Sequence, residues 1–247
     1  MESELYDVIS RTEADHWWYV GRRRIVFDWV ERCLRGSRDP AILDIGCGTG
    51  FNLEELRRRR LGGVVGLDLS AKALGYCRTR GLRRLVQGDA ARLPCRDASF
   101  DIVLALDLIE HVEDDRAALA GLMRTLKPGG HLIVFTPAFP FLWSVQDRVS
   151  HHFRRYTRSE LRAKLQAAGY TVDKLSYANT LLFPLVAAGR LALRLSGRAE
   201  RVTSENELHP AWSNAFLTAV FSTERHLLRW TDLPVGVSLL AVATRPS

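Results

Sequence analysis

The sequence predicts an α/β fold: a mostly parallel sheet of seven strands with helices on both faces. Three observations predict it. Short apolar runs alternate with amphipathic stretches from Ala41 onward, the first run ends in the glycine-rich turn Gly46-Cys47-Gly48-Thr49-Gly50, and a carboxylate, Asp68, closes the second. Alternation at this spacing carries the chain from strand to helix and back, and a parallel sheet covered on both faces has strands that are apolar throughout.

Residues 1–36 read as helical, with an aromatic cluster His16-Trp17-Trp18-Tyr19 and then Ile25, Val26, Trp29, Val30 and Leu34 at helical spacing. Gly36 and Pro40 end that stretch. Strands are expected at 41–45, 64–67, 84–87, 102–106 and 132–136, with helices at 51–60, 71–80 and 115–126. Pro137 and Pro140 then break the chain, and 138–156 reads as a loop rich in aromatic and basic side chains. Thr157-Arg158-Ser159-Glu160 is a capping box, so a helix should run to about Ala168 and stop at Gly169. A sixth strand fits 171–177 and a seventh 236–244, which leaves 178–233, too long for a turn, as a helical insertion. Three parts follow: an N-terminal helical segment (1–40), a sheet domain (41–177 with 234–247) and the insertion (178–233).

At 247 residues, 47% hydrophobic and 26% charged, the chain has material for a core, which excludes disordered and disulfide-scaffold readings. Its four cysteines form no C-x-x-C pair, so neither a zinc site nor a disulfide framework is expected, and no metal is predicted. The acidic start is unlike a secretory signal, and no run reaches the ~18 apolar residues of a membrane span. A cytoplasmic protein is expected. The net charge of +7 comes with 31 arginines among 35 basic residues. It permits binding to phosphate, acidic substrates or anionic membrane and demands none of them.

The chemistry sits at the first turn. Glycines there let the backbone approach a ligand, at the crevice where open α/β sheets bind nucleotides. Asp68 lies eighteen residues beyond Gly50, where a carboxylate can accept from both hydroxyls of a ribose. The dinucleotide fingerprint is G-x-G-x-x-G, whereas this turn is G-x-G-x-G, one residue shorter, which points away from NAD and toward a nucleoside without phosphates.

Five segments in order carry a resemblance to the class I S-adenosylmethionine-dependent methyltransferases, of the small-molecule type related to quinone-biosynthesis enzymes. They are Leu43-Asp44-Ile45-Gly46-Cys47-Gly48-Thr49-Gly50, Gly66-Leu67-Asp68-Leu69-Ser70, Gly88-Asp89-Ala90, Phe100-Asp101-Ile102-Val103 leading to Glu110-His111-Val112, and Leu126-Lys127-Pro128-Gly129-Gly130, the last resembling a turn before strand five. The resemblance implies a Rossmann-like sheet, S-adenosylmethionine as cofactor and S-adenosylhomocysteine as product. It implies that Gly46, Gly48 and Gly50 pass under the methionine and ribose, and that Asp44 orients the amino group. Asp68 would hold the ribose, Leu69 pack on the adenine, Asp89 and Ala90 meet the exocyclic amine, and Ala105 to Asp107 flank the sulfonium. Asp101 reads instead as a residue before the strand that caps a turn, and Cys47 as a small residue inside a tight loop. His16-Trp17-Trp18-Tyr19-Val20-Gly21-Arg22-Arg23 resembles a segment that, in a subset of this family, forms a helical lid with an arginine near the methionine carboxylate. Trp18 and Arg22 are the candidates there, with the choice of arginine open. The alternative is an amphipathic helix whose tryptophans plug the sheet edge.

Methyl transfer is an in-line displacement, in which orientation can supply roughly 7–11 kcal/mol of the barrier. A general base adds ~10²–10⁴-fold where the nucleophile is a hydroxyl. His151, His152 and His111 are the candidate bases. The first two fall in a loop with Trp143, Asp147, Arg154, Arg155 and Tyr156, and His151-x-x-Arg154-Arg155-Tyr156-Thr157 resembles a segment of the same subset. These polar groups can equally do no more than fold the loop. The expected acceptor is a small or lipid-linked molecule, methylated at oxygen, then nitrogen, then carbon in order of preference. An RNA methyltransferase is the second reading, against which stand Asp107-Leu108-Ile109-Glu110 in place of the Asn/Asp-Pro-Pro-Tyr/Phe of the nucleic-acid enzymes and the absence of a cysteine there. Arg57 to Arg60 end a helix and read as a solvated face. A non-catalytic S-adenosylmethionine-binding protein is the third. In the insertion, Arg190, Arg194 and Arg198 recur every four residues opposite Leu185, Val186 and Leu193, and Phe216, Leu217, Val220, Phe221, Leu227 and Leu228 make an apolar stripe apart from Glu224, Arg225 and Arg229. Such helices can lie on an anionic bilayer, roof a lipophilic pocket, pair two copies of the chain or pack internally.

Overall fold

The computed structural model describes residues 3–195 and 210–247. Its sheet contains β1 (Ala41–Ile45), β2 (Gly63–Asp68), β3 (Leu85–Gln87), β4 (Phe100–Leu106), β5 (Leu126–Pro137), β6 (Thr171–Ala178) and β7 (Ser238–Thr244), in the order β3-β2-β1-β4-β5-β7-β6. Only β7 runs antiparallel to its neighbours, β5 and β6. The order reverses between β1 and β4, which opens a crevice at the carboxyl ends of the strands.

Nine helices accompany the sheet among the described residues: α1 (Ser3–Thr12), α2 (Trp17–Cys33), α3 (Phe51–Arg58), α4 (Ala71–Thr79), α5 (Asp115–Thr125), α6 (Val145–Val149), α7 (Arg158–Ala167), α8 (Phe183–Leu195) and α9 (Ala211–Leu228). Period-two alternation splits the strand residues between two cores. Ile42, Ile102, Leu104, Ile133 and Phe135 face α2 and α9, while Leu43, Val103, Ala105, Leu132 and Val134 face α5 and α7.

Several expected boundaries are corrected. The N-terminal stretch is two helices, because the chain turns at 13–16, where the His16 ring caps Trp18 N. The third strand begins one residue late and the seventh two. The largest correction is β5. Its span begins at Leu126, directly after α5 ends at Thr125, and Lys127-Pro128-Gly129-Gly130 loops out between the pairs Phe100–Leu126 and Ile102–His131, with Gly129 at φ +75, as the turn expected there. The turn packs tightly: a side chain at Gly130 would meet the carbonyls of Lys127, Phe100 and Asp101 at 2.9–3.2 Å, and glycine has none. Asp101 is likewise inside β4 and does not precede it, accepting from Ala41 N at 2.8 Å and Lys127 Nζ at 2.7 Å, so it ties three strands together. The 138–156 loop contains a turn of 3-10 helix (Pro140–Leu142) and α6. The capping box at Thr157 forms as expected and starts α7.

The insertion supplies α8 and α9, and α9 is a full member of the α2 layer. Asn214 accepts from Trp17 N at 2.8 Å and donates to Asp15 O at 2.7 Å, and Arg229 pairs with Asp28. Phe221 and Leu228 of the expected stripe are buried, while Phe216 and Leu227 are exposed. Glu224, expected away from that stripe, is buried, accepting from Asn179 N at 2.7 Å and Leu181 N at 2.8 Å. On α8 the arginine turns inward: Arg190 donates to Leu142 O at 2.7 Å, whereas Leu185, Leu191 and Leu195 are exposed. Arg198 lies outside the described residues. No described helix is long and apolar enough to cross a membrane.

Candidate active site

A single cavity of about 490 Å³ opens at the carboxyl ends of the strands. Its floor is the turn after β1. Gly48 has φ +55, a left-handed value that suits glycine, and its missing side chain would point into open space. Its N–H donates to Asp68 Oδ2 at 2.8 Å, and Ser70 N donates to Oδ1 at 2.8 Å. Burial raises the Asp68 pKa even though these N–H groups oppose it. Leu69 is exposed at the rim, and Asp89 and Ala90 complete this end, the Asp89 carboxyl accepting from Ala91 N at 2.8 Å.

A roof faces that floor. Leu5, Tyr6 and Ile9 of α1 line the cavity, and burial, with Asp68 adding to it, pushes the Tyr6 pKa up to about 12. Asp7 fastens α1 to α4 through Lys72 at 2.9 Å and Tyr76 at 2.5 Å. Glu13 fastens its end to Thr49 and, at 2.8 Å, to Arg80. The i, i+4 spacing of Leu5 and Ile9 was a signal for this roof, whereas nothing in the sequence marks Glu13.

At the middle of the cavity Arg22 pairs with Asp107. The guanidinium sits 4.7 Å from the centre of the Trp18 ring and 5.6 Å from that of Tyr19. The arginine left open is thereby resolved in geometry: Arg22 lines the cavity, while Arg23 donates to Glu13 O at 3.1 Å behind it. Asp107 has φ +51, an uncommon backbone conformation for a side chain other than glycine, imposed at the mouth of β4. Gly46 lines the cavity too, but Asp44, Gly50 and Ala105 stand behind its wall. Gly50 caps α3 against Cys77 and Leu82, and Ala105 belongs to the core under α5. Burial, against Arg22 and with Asp68, pushes the Asp44 pKa up to about 7. A carboxyl raised in the folded state stabilises it below the unfolded pKa of ~4 and loses that contribution as pH climbs through the folded value. Asp44→Asn is therefore expected to gain stability relative to the parent between pH 4 and 7.5, by up to a few kcal/mol (~3 units at 1.36 kcal/mol each), as read from urea melts of the ligand-free protein at both pH values. A constant difference would show that Asp44 is ionised in the fold.

The far end holds the histidines. His111 and His152 meet edge to face, ring centres 4.5 Å apart. Burial, helped by His152, pushes the His111 pKa down to about 3, so its imidazole is neutral. His152 Nδ1 lies 2.8 Å from Asp147 Oδ1, and His151 is exposed at the rim. Glu110, missed by sequence reasoning as a site group, is fully buried, its Oε2 accepting from Thr136 at 2.9 Å. Burial, then repulsion from Asp107, raises its pKa well above the usual range. Glu110, His111 and His152 offer donor atoms within 4.8 Å of one another. Val186 and Arg190 of α8 close this end.

Comparison with known proteins agrees with this architecture. A family model described as "Methyltransferase domain" matches residues 43–134. A ubiquinone biosynthesis O-methyltransferase of Hahella chejuensis is 32% identical over 184 residues, covering 63% of this chain and 76% of that protein. A counterpart of the same name from Alkalilimnicola ehrlichii is 36% identical over 115 residues, 44% of this chain and 46% of the relative, so the chain spans about half of its length. A Mycolicibacterium smegmatis protein named as a probable S-adenosylmethionine-dependent methyltransferase is 28% identical over 94% of this chain and 90% of its own. Among solved structures, an S-adenosylmethionine-dependent methyltransferase from Mesorhizobium loti superposes with a TM-score of 0.59 at 18% identity, covering 90% of this chain and 98% of that one, and the [4+2]-cyclase SpnF with 0.58 at 24%, covering 90% and 80%. At these identities the two structures share the fold. The chain belongs to the S-adenosylmethionine-dependent methyltransferase family. It is a methyltransferase, and its cofactor is S-adenosylmethionine.

Proposed function

We propose that this enzyme transfers the methyl group of S-adenosylmethionine to a small or lipid-linked acceptor, at oxygen before nitrogen or carbon. One observation carries the reading: a single cavity runs from Asp68 and Asp89, past Gly48 and Arg22, to His111, His152 and Val186. Cofactor and acceptor then share one space.

The cavity fits the cofactor at the level of its donors. Among the described residues, Trp17 Nε1, Arg22 Nε and the Asn179 amide are buried without a hydrogen-bond partner, and all three residues line the cavity. Buried donors of this kind are costly unless a ligand meets them. Arg22, in this reading, takes the methionine carboxylate with Trp18 against it, and Asp44 reaches the amino group from behind Gly46. Asp68 takes the ribose hydroxyls, Asp89 the adenine amine beside Ala90, and Leu69 covers the ring. Bound there, the cofactor supplies an electrophilic methyl group to the acceptor end. The O-methyltransferase names of the relatives support oxygen as the acceptor atom. The exposed leucines of α8, on the helix that closes the cavity, support an apolar acceptor and a peripheral contact with its membrane. The polybasic Arg57–Arg60 stretch is an exposed helix end, the solvated face expected of it, with Arg57 on Gly81 O at 2.9 Å and Arg58 and Arg59 on Glu55.

Calorimetry with S-adenosylhomocysteine, with NAD as control, tests the cofactor half; micromolar binding of the first alone is expected. A screen of lipophilic alcohols, phenols and amines then tests transfer. RNA binding that falls steeply with salt would favour the RNA reading. Cofactor binding without transfer to any acceptor would favour a non-catalytic one.

A further inference from the structure

We propose that His152, positioned by Asp147 and Arg155, is the base that removes the proton of a hydroxyl acceptor, and that the acceptors are therefore alcohols or phenols in preference to amines. This rests on reading the cavity as the methyl-transfer site.

The argument begins with Asp147. Its carboxylate is fully buried and used on every side. Oδ1 meets His152 Nδ1 at 2.8 Å and accepts from Arg155 Nε at 2.7 Å; Oδ2 accepts from Arg155 Nη2 at 2.8 Å and Ser144 N at 2.7 Å. The Arg155 fork is itself anchored on Ala138 O at 3.1 Å. The His152 backbone N also donates to the Asp147 carbonyl at 2.9 Å. Burial resists the charge of Asp147, but His152 and Arg155 outweigh it and hold the carboxyl below its usual range. An ionised carboxylate can only accept, so the nitrogen facing it must carry the proton. A neutral imidazole then has a bare Nε2. His152 is a wall of the cavity, so that acceptor nitrogen belongs to the space where a substrate would sit.

Charged and titratable groups face His152 from several elements. From the segment after β4 it is faced by neutral His111, by the buried Glu110 carboxyl and by Asp107 in its pair with Arg22. Its own loop offers Asp147, Arg155 and the exposed His151, and α8 brings Arg190 to the same cavity. A second cationic ring at His111 would repel a protonated His152; burial removes that charge.

A hydroxyl gains from such a base, whereas a neutral amine already presents its lone pair. In the step, the acceptor oxygen forms a bond to the methyl carbon while the carbon–sulfur bond breaks and sulfur keeps the electron pair. The O–H proton passes to Nε2 of His152 and is later released to water. No redox partner is needed.

The test compares a phenol acceptor with the aniline of the same shape in the parent, His152→Ala, Asp147→Asn and Asp147→Glu, with S-adenosylhomocysteine affinity and thermal melts as controls. His152→Ala should lower kcat for the phenol ~10²–10⁴-fold, with cofactor affinity unchanged and the acid limb of the pH profile lost. Asp147→Asn should lower kcat with little change in KM, partly recovered in Asp147→Glu. Nitrogen-15 NMR of the imidazole, independent of turnover, should show the proton on Nδ1 of His152 in the parent and on Nε2 in Asp147→Asn. A parent His152 protonated on Nε2, unchanged phenol turnover in a folded His152→Ala, preference for the aniline, or activity lost to EDTA and restored by a divalent cation would each overturn the proposal. Cofactor binding with no transfer to either acceptor class would instead overturn the methyl-transfer reading beneath it.

Discussion

Asp68→Ala is expected to weaken S-adenosylhomocysteine binding about 100-fold or more while the ligand-free protein melts within a few degrees of the parent. A hydrogen bond to a charged group contributes roughly 1.5–3 kcal/mol, so losing two to a ribose costs ~3 kcal/mol or more, a factor of about 100. The fold should survive, because what Asp68 holds in the empty protein is the turn: Gly48 N and Ser70 N, both at 2.8 Å. Ser70 keeps its own cap on Ala73 N and starts α4 without it. Since burial raises the Asp68 pKa, the parent's affinity should also fall as pH drops through that raised value, and Asp68→Asn should lose this dependence. Calorimetry at pH 5 and 8 reads both effects. Parent-like affinity in Asp68→Ala would remove the ribose role.

Asp68 was legible because its position follows from spacing: a strand's last residue, one turn-helix unit after the glycine-rich loop, must lie beside it in a parallel sheet. The same reasoning delivered the seven strands and most of the helices between them. It failed where contacts are long-range. β5 begins at Leu126, ahead of the Lys127–Gly130 turn, because Leu126 pairs with Phe100 of β4, a pairing that no local pattern shows. Asp44 sits in the right motif but behind the cavity wall, since alternate residues of β1 point to opposite faces. Glu110 is adjacent to a candidate residue, and only tertiary packing buries it and raises its pKa. The roof held by Glu13 depends on Arg80, sixty-seven positions away, a relation no local pattern encodes.

Phe221→Ala is expected to lower the melting temperature by roughly 10 °C. Truncating a buried phenylalanine costs about 3–5 kcal/mol, and each kcal/mol shifts a chain of this size by about 2–4 °C. The side chain is fully buried, and it lies directly against Gly21, where an added Cβ would come within 2.3 Å of its ring. That contact joins the insertion to the helix bearing Arg22, one residue on, so loosening it should also weaken S-adenosylhomocysteine binding without touching the cavity wall. Gly21→Ala supplies the converse: a methyl group forced onto the ring should cost ~1–3 kcal/mol by overpacking. Because the two substitutions act on one contact, their costs should not add. The double variant leaves room for the new methyl group and should melt higher than the sum of the single losses. Additive losses would place the two residues in independent surroundings, and an unchanged melt for Phe221→Ala would make α9 an appendage. The expected coupling instead makes residues 211–228 part of what holds Arg22 in the cavity wall, which is why a segment reading as an insertion in sequence should behave in solution as part of the sheet domain's cover.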